Sequence, residues 1–141
     1  MDSTTKISVV ILNWLRPDNI KNIILPKLVT YTAVNEIIIS HGRKDSMFSF
    51  SHKKVTHRDD SILNGSYGLS LRFLAANEAK NDTILILDDD LYISEKGLNV
   101  LLSKHNTNPR RLVGVYGKVK KKHSRLRRPY KVRNLRGKQC C

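Results

Sequence analysis

Only two cysteines occur in the 141 residues, adjacent at positions 140 and 141, so no loop between distant points is expected to be stapled and a reducing compartment is the default. No apolar run approaches the roughly 20 residues that a membrane-spanning helix needs. Residues 1–6 are too short and polar for a secretory leader, and neither an Arg-rich amphipathic transit segment nor a stop-transfer segment follows, so the expected location is the cytoplasm. Gly42, Gly65 and Gly68 are scattered and form neither a dinucleotide fingerprint nor a Walker loop. His41, His52, His57, His105 and His123 have no metal-ligand spacing with cysteine or with one another, and none is assigned as a ligand. Acidic residues are missing altogether from residues 110–141, which hold 13 Lys or Arg.

That last absence locates the charge. Residues 1–109 carry 13 Lys or Arg and all 12 Asp and Glu, so of the formal net charge of +14 only +1 belongs to them and +13 to residues 110–141. From residue 119 onward neither helical nor strand periodicity is present and few side chains can bury surface, so the expectation is a nearly neutral domain over residues 1–118 and a flexible basic tail over residues 119–141.

An apolar share of 40% is enough for a folded core. Residues 6–12 (KISVVIL) are a continuous, β-branched apolar run, which predicts a strand buried on both faces. Arg16, Pro17 and Asp18 mark a helix start, and Ile20, Ile23, Ile24 and Leu28 recur at helical spacing, with Pro26 expected to kink or end the helix. Residues 36–40 (EIIIS) and 82–87 (DTILIL) predict buried strands, 53–56 (KKVT) a weaker one and 111–116 (RLVGVY) a last one. Residues 67–80 predict one amphipathic helix, with Leu69, Phe73, Ala76 and Lys80 on one stripe and Leu71, Leu74 and Ala75 beside it. Ser94 is placed to cap a further helix whose Leu98, Leu101 and Leu102 face inward. Strands alternating with helices predict an α/β fold: a Rossmann-like, mostly parallel sheet with flanking helices.

The strand at residues 82–87 runs directly into Asp88, Asp89 and Asp90. In open parallel sheets ligands bind beyond the carboxyl ends of the strands. Three like charges at such an end repel one another and resist desolvation, so they make most sense when a divalent cation or ordered donors compensate them. Oxygen-only ligands suit Mn²⁺ or Mg²⁺ rather than Zn²⁺, and a cation held by one or two carboxylates keeps positions open for phosphate oxygens. A solvated acidic turn is the plain alternative. Asp59 and Asp60, with Arg58 before and Ser61 after, read as a capped turn.

The segments ISVVILNWLRPDNI, EIIISHG, NGSYGLSLRFLAANEAKNDTILILDDDLYIS and RLVGVYGK, in this order over residues 6–118, resemble the nucleotide-sugar-binding half of GT-A fold glycosyltransferases of the exostosin-like or family 2-like kind. The resemblance implies that Asp88 and Asp90 occupy the outer positions of an Asp-x-Asp motif that holds Mn²⁺ (or Mg²⁺) and the donor, Asp90 being the foremost metal ligand and Asp89 a donor contact. It places Asn13 and Arg16 where the family contacts nucleobase and ribose, and Asn64 and Arg72 where it approaches the donor and its diphosphate. Arg72 sits in an apolar helix and therefore needs an anionic partner or a snorkelling route. The implied donor is a nucleotide sugar, UDP-linked foremost, and the implied acceptor a glycan or protein. A full GT-A domain has a second half with the acceptor site and catalytic base; residues 118–141 contain no acid for that role, so the expectation is a donor-binding half with catalysis in question.

Two readings from other classes stand beside this one. Thirteen cations in 32 residues favour non-specific contact with nucleic acid or another anionic surface, although Tyr130 is the one aromatic of the tail and no groove-reading helix is evident. A polybasic stretch before Cys140 and Cys141 could also support peripheral membrane attachment through lipidation, but the ending is not a CaaX box.

Overall fold

A computed structural model of the chain describes residues 5–115. The tail expected over residues 119–141 lies outside the described residues. Four strands, β1 (Ile7–Asn13), β2 (Val34–His41), β3 (Val55–Asp59) and β4 (Ile84–Asp88), form one parallel sheet in the order β3-β2-β1-β4. This is the expected α/β architecture. Every residue of β1 is buried, as a continuous apolar run in the middle of a parallel sheet requires. Val10 and Ile38 point to one face, where Ala75 packs on them; Val9, Ile11, Ile37 and Ile39, alternating with them, are buried on the other. Each such side chain contributes roughly 1.5–3 kcal/mol relative to exposure. β4 departs from the expectation of a strand buried on both faces: it is an edge strand among the described residues, and only Leu87 of it is fully buried.

After β1 the chain enters a helical run made of α1 (Pro17–Asn19), a π-helical stretch (Ile20–Ile24) and α2 (Leu25–Leu28). Pro26 was expected to kink or end the helix, but the run continues through it to Leu28. The reason is the π register: the Leu25 N–H donates to the Ile20 carbonyl, a shift of one residue just before the position whose missing N–H breaks an α-helical ladder. Ile20, Ile24, Leu25 and Leu28 are buried as a result.

The single helix expected over residues 67–80 is broken. α3 (Asn64–Tyr67) stops at Gly68, whose φ of +48° favours glycine, and after a 3₁₀ turn (Gly68–Ser70) α4 (Leu71–Ala76) resumes. The buried stripe is Leu71 and Ala75, one turn apart, whereas Leu69 and Phe73 are exposed. α4 packs against β1 and β2. The turns after it are pinned by the buried Glu36, whose Oε2 accepts from the Lys80 N–H at 2.7 Å and from the Ser8 hydroxyl.

The chain divides into two compact units between residues 95 and 96. α5 (Glu95–Thr107) begins directly after Ser94 and carries the second unit's buried Leu98. The strand expected at residues 111–116 does not form over residues 111–115, where Leu112 and Val115 are exposed and no ladder partner is found among the described residues; residue 116 lies outside them. No helix among the described residues is long and apolar enough to cross a membrane.

Candidate functional site

β1 is followed in sequence by β2 on one side, while β4 lies on its other side, so the strand order reverses at β1. In an open α/β sheet the crevice beyond the carboxyl ends at such a reversal is where ligands bind. A cleft of about 190 Å³ opens there. Leu12, Trp14 and Arg16 line it from the end of β1, Asp88, Asp89 and Asp90 from the end of β4, and Leu69 and Arg72 from the α4 side. The register explains the meeting, because Leu12 lies opposite Asp88 across the ladder.

The three carboxylates have different surroundings. Asp88 is ion-paired with the Arg72 guanidinium, whose Nε donates to the Leu69 carbonyl at 2.9 Å. The anionic partner that Arg72 requires in an apolar helix is therefore an Asp of the triplet. Asp90 lies 3.4 Å from Arg16 Nη1. The side chains of Asp88 and Asp90 are 44% and 50% exposed, which leaves both open to a ligand.

Asp89 is nearly buried. Its Oδ2 accepts from three successive backbone N–H groups, Trp14 at 3.3 Å, Leu15 at 2.9 Å and Arg16 at 3.1 Å, and its Oδ1 accepts from Arg16 Nη1 at 3.2 Å. Burial pushes this carboxyl up, but the Leu15, Arg16 and Trp14 amides and the Arg16 guanidinium together hold it below the ordinary carboxylate range. The sequence leaves Asp89 open between a donor contact and a supporting or solvated acid, and it does not give the partners, because a carboxylate and a backbone loop more than seventy residues apart leave no local signal of their meeting.

Asn13 and Asn64, expected at the donor, are not among the residues that line the cleft. Asn64 opens α3 and is half-buried. Asn13 is fully buried, its Nδ2 donating to the Ser46 carbonyl at 2.7 Å and to His41 Nδ1 at 2.9 Å, while its Oδ1 accepts no hydrogen bond among the described residues. With Nδ1 accepting, a neutral His41 carries its proton on Nε2, 2.9 Å from Nδ1 of the stacked His57. Burial and the neighbouring His57 lower His41 to about 4. Asp59, the last residue of β3, accepts from the Ser61 N–H, and the buried Asp60 accepts from Ser40 and Arg58, so the pair is used locally at the strand end.

Among the described residues no three His, Cys, Asp or Glu side chains converge on one point. The described residues by themselves therefore offer no closed cation cage of that kind. Two half-exposed carboxylates in an open cleft do fit a hard cation that takes its remaining ligands from phosphate and water, the ordinary manner of Mg²⁺ and, by donor type, Mn²⁺.

The family model of the glycosyl transferase family 64 domain matches residues 7–136. The chain belongs to that family. It is thus a glycosyltransferase-family protein, and the match includes most of the basic segment that sequence reasoning set apart from the domain. No curated protein matches the chain.

Proposed function

We propose that this family 64 domain is of the GT-A, exostosin-like kind, takes a nucleoside diphosphate sugar into the β1/β4 cleft, a UDP-sugar foremost, and passes a hexosyl or N-acetylhexosaminyl group to a hydroxyl of a glycan or protein. The observation that carries this reading is the meeting of two half-exposed carboxylates, Asp88 and Asp90, with two guanidinium groups, Arg16 and Arg72, in one cleft at a sheet reversal. Asp88 and Asp90 supply the oxygens for Mn²⁺ or Mg²⁺, which when bound offsets the charge that develops on the leaving diphosphate. Arg72 and Arg16 donate to the diphosphate oxygens, whose geometry a planar guanidinium matches, and exchange a carboxylate partner for a phosphate as they do so. The buried Leu12 gives the inner wall of the cleft an apolar side, while the exposed Leu69 lines its rim.

Calorimetric titration of UDP, GDP and their sugar conjugates, with Mn²⁺ or with chelator and at moderate salt, tests this. Cation-dependent saturation by one nucleotide is expected, and Asp90→Ala should remove the cation-dependent part while leaving the thermal midpoint nearly unchanged, since the side chain is half-exposed in a turn. Folded protein that binds no nucleotide in a cation-dependent way refutes the reading. A second reading rests on the acid-free charge of residues 110–141: contact with polyanions through residues 119–141, separable from nucleotide binding by its salt dependence.

A further inference from the structure

We infer that Asp89 is a positioning residue: it holds residues 14–16 as a strap against the end of β4, and through that strap it seats Trp14 and Arg16 in the cleft wall. The inference rests on the reading of the cleft as a nucleotide site. It gives the middle carboxylate a different task from those of its two neighbours.

The strap is the short link between the last residue of β1 and the first of α1, Trp14 to Arg16, and no regular structure supports it. Its three amides would otherwise turn to solvent. Instead they converge on one carboxylate oxygen, and three donors on one oxygen fix the backbone of all three residues at once. Arg16 closes the arrangement by donating its Nη1 to the other oxygen, and Asn19 Nδ2 lies 3.4 Å from the Asp89 carbonyl, so the start of the helical run is tied to the same residue. The two side chains that the strap sends into the cleft are those that could meet a nucleotide: a half-buried indole and a half-exposed guanidinium. The indole has a prepared seat. A Cβ at Gly42 would lie 2.9 Å from Trp14 Cε3 and 3.0 Å from Cζ3, so the ring rests directly on the glycine backbone.

A fixed strap means that Trp14 and Arg16 are already in place before a nucleotide arrives, and the ordering entropy of the loop is not charged against binding. Loosening it weakens the nucleotide by misplacing Trp14 and Arg16, both of which remain in the chain. It also changes the surroundings of Trp14, which is the chain's single tryptophan, so emission excited selectively at the indole reports on that one ring.

The test compares the unmodified full chain with Asp89→Asn and Asp90→Ala. Acrylamide quenching of Trp14 is read in the absence of nucleotide, and UDP affinity in the presence of Mn²⁺. Asp89→Asn should raise Trp14 quenching about twofold and weaken UDP by about tenfold, as the loss of a charge-assisted set of hydrogen bonds implies. Asp90→Ala, which leaves the three amides their acceptor, should lose UDP affinity with Trp14 quenching unchanged. Equal quenching in Asp89→Asn and the unmodified chain, or the same rise in Asp90→Ala, overturns the inference. Should Asp89→Asn fail to fold, amide hydrogen exchange of the unmodified chain decides: Leu15 and Arg16 protected like β1 support the strap, and free exchange at both refutes it. If the unmodified chain binds no UDP, the nucleotide reading fails by itself, and the quenching and exchange results still judge Asp89.

Discussion

A charged side chain in an apolar helix must find an anion or reach water, and Arg72 finds Asp88 while Leu69 occupies its Nε. Its guanidinium is thereby presented at the cleft in a fixed direction, ready to donate to a diphosphate. Arg72→Ala should therefore weaken UDP by about tenfold or more, the usual scale for a lost hydrogen bond to a charged group, and leave uridine affinity nearly unchanged. Equal losses for the two ligands would make Arg72 a structural residue only. Gly42 poses the opposite problem, because there the missing atom matters. Gly42→Ala puts a methyl group 2.9 Å from the indole, closer than carbon atoms tolerate, so the ring must lift or the backbone must shift. A blue or red displacement of the Trp14 emission maximum, with UDP weakened and the far-ultraviolet circular dichroism preserved, is the expected outcome.

At the level of elements, side chains join three strands: Asn13, the last residue of β1, donates to His41, the last of β2, and His41 meets His57 in the middle of β3. His41 is fully buried and lowered from the ordinary 6.5 to about 4, chiefly by that burial. An unfolded chain protonates it near 6.5 and the folded chain only near 4, so between these values the unfolded state binds more protons. The contribution of His41 to stability is complete above 6.5, declines as pH falls toward 4, and levels off below. Urea unfolding at successive pH values should show this decline, and it should be smaller in His41→Gln, which cannot titrate. A slope identical in both chains would assign it to other groups.

The same elements show how much could be read from residues alone. The β-branched runs of β1 and β2 announce buried strands because a strand covered on both faces has no polar side to show. Asp88, Asp90, Arg16 and Arg72 came together as a set through the resemblance to GT-A enzymes; the residues alone say only that strand-end acids need compensating charge and that a helix arginine needs an acid or a route to water. What was not legible depends on long-range pairing or on one backbone angle. Pro26 survives inside a helical run through a π turn that begins six residues earlier, and Gly68 breaks an apolar period through its φ alone. Asn13 shares a motif with Arg16 but, as the last residue of β1, turns its amide to His41 and Ser46, whereas Arg16 reaches the cleft. Residues 111–115 have the composition of a strand but pair with no strand among the described residues, and composition alone does not supply one.

For the whole molecule the governing quantity is the separation of charge. A cleft with three acids and two arginines sits in the near-neutral part of the sequence, whereas +13 of the formal charge falls in residues 110–141. The two must respond to salt differently. A nucleotide held by a few fixed donors and a cation in a cleft loses little affinity as ionic strength rises, because close pairs in a recess are poorly screened. A polyanion held by many exposed lysines and arginines releases counterions, and its affinity should fall by roughly a hundredfold or more between about 50 and 200 mM salt. Heparin or single-stranded RNA and UDP with Mn²⁺, titrated against the full chain over that range, should give a steep and a shallow dependence. Alanine or glutamine at Lys120, Lys121 and Lys122 should flatten the first and leave the second alone. If those substitutions abolish UDP binding as well, the basic segment is part of the donor site, which the extent of the family match through residue 136 would then explain.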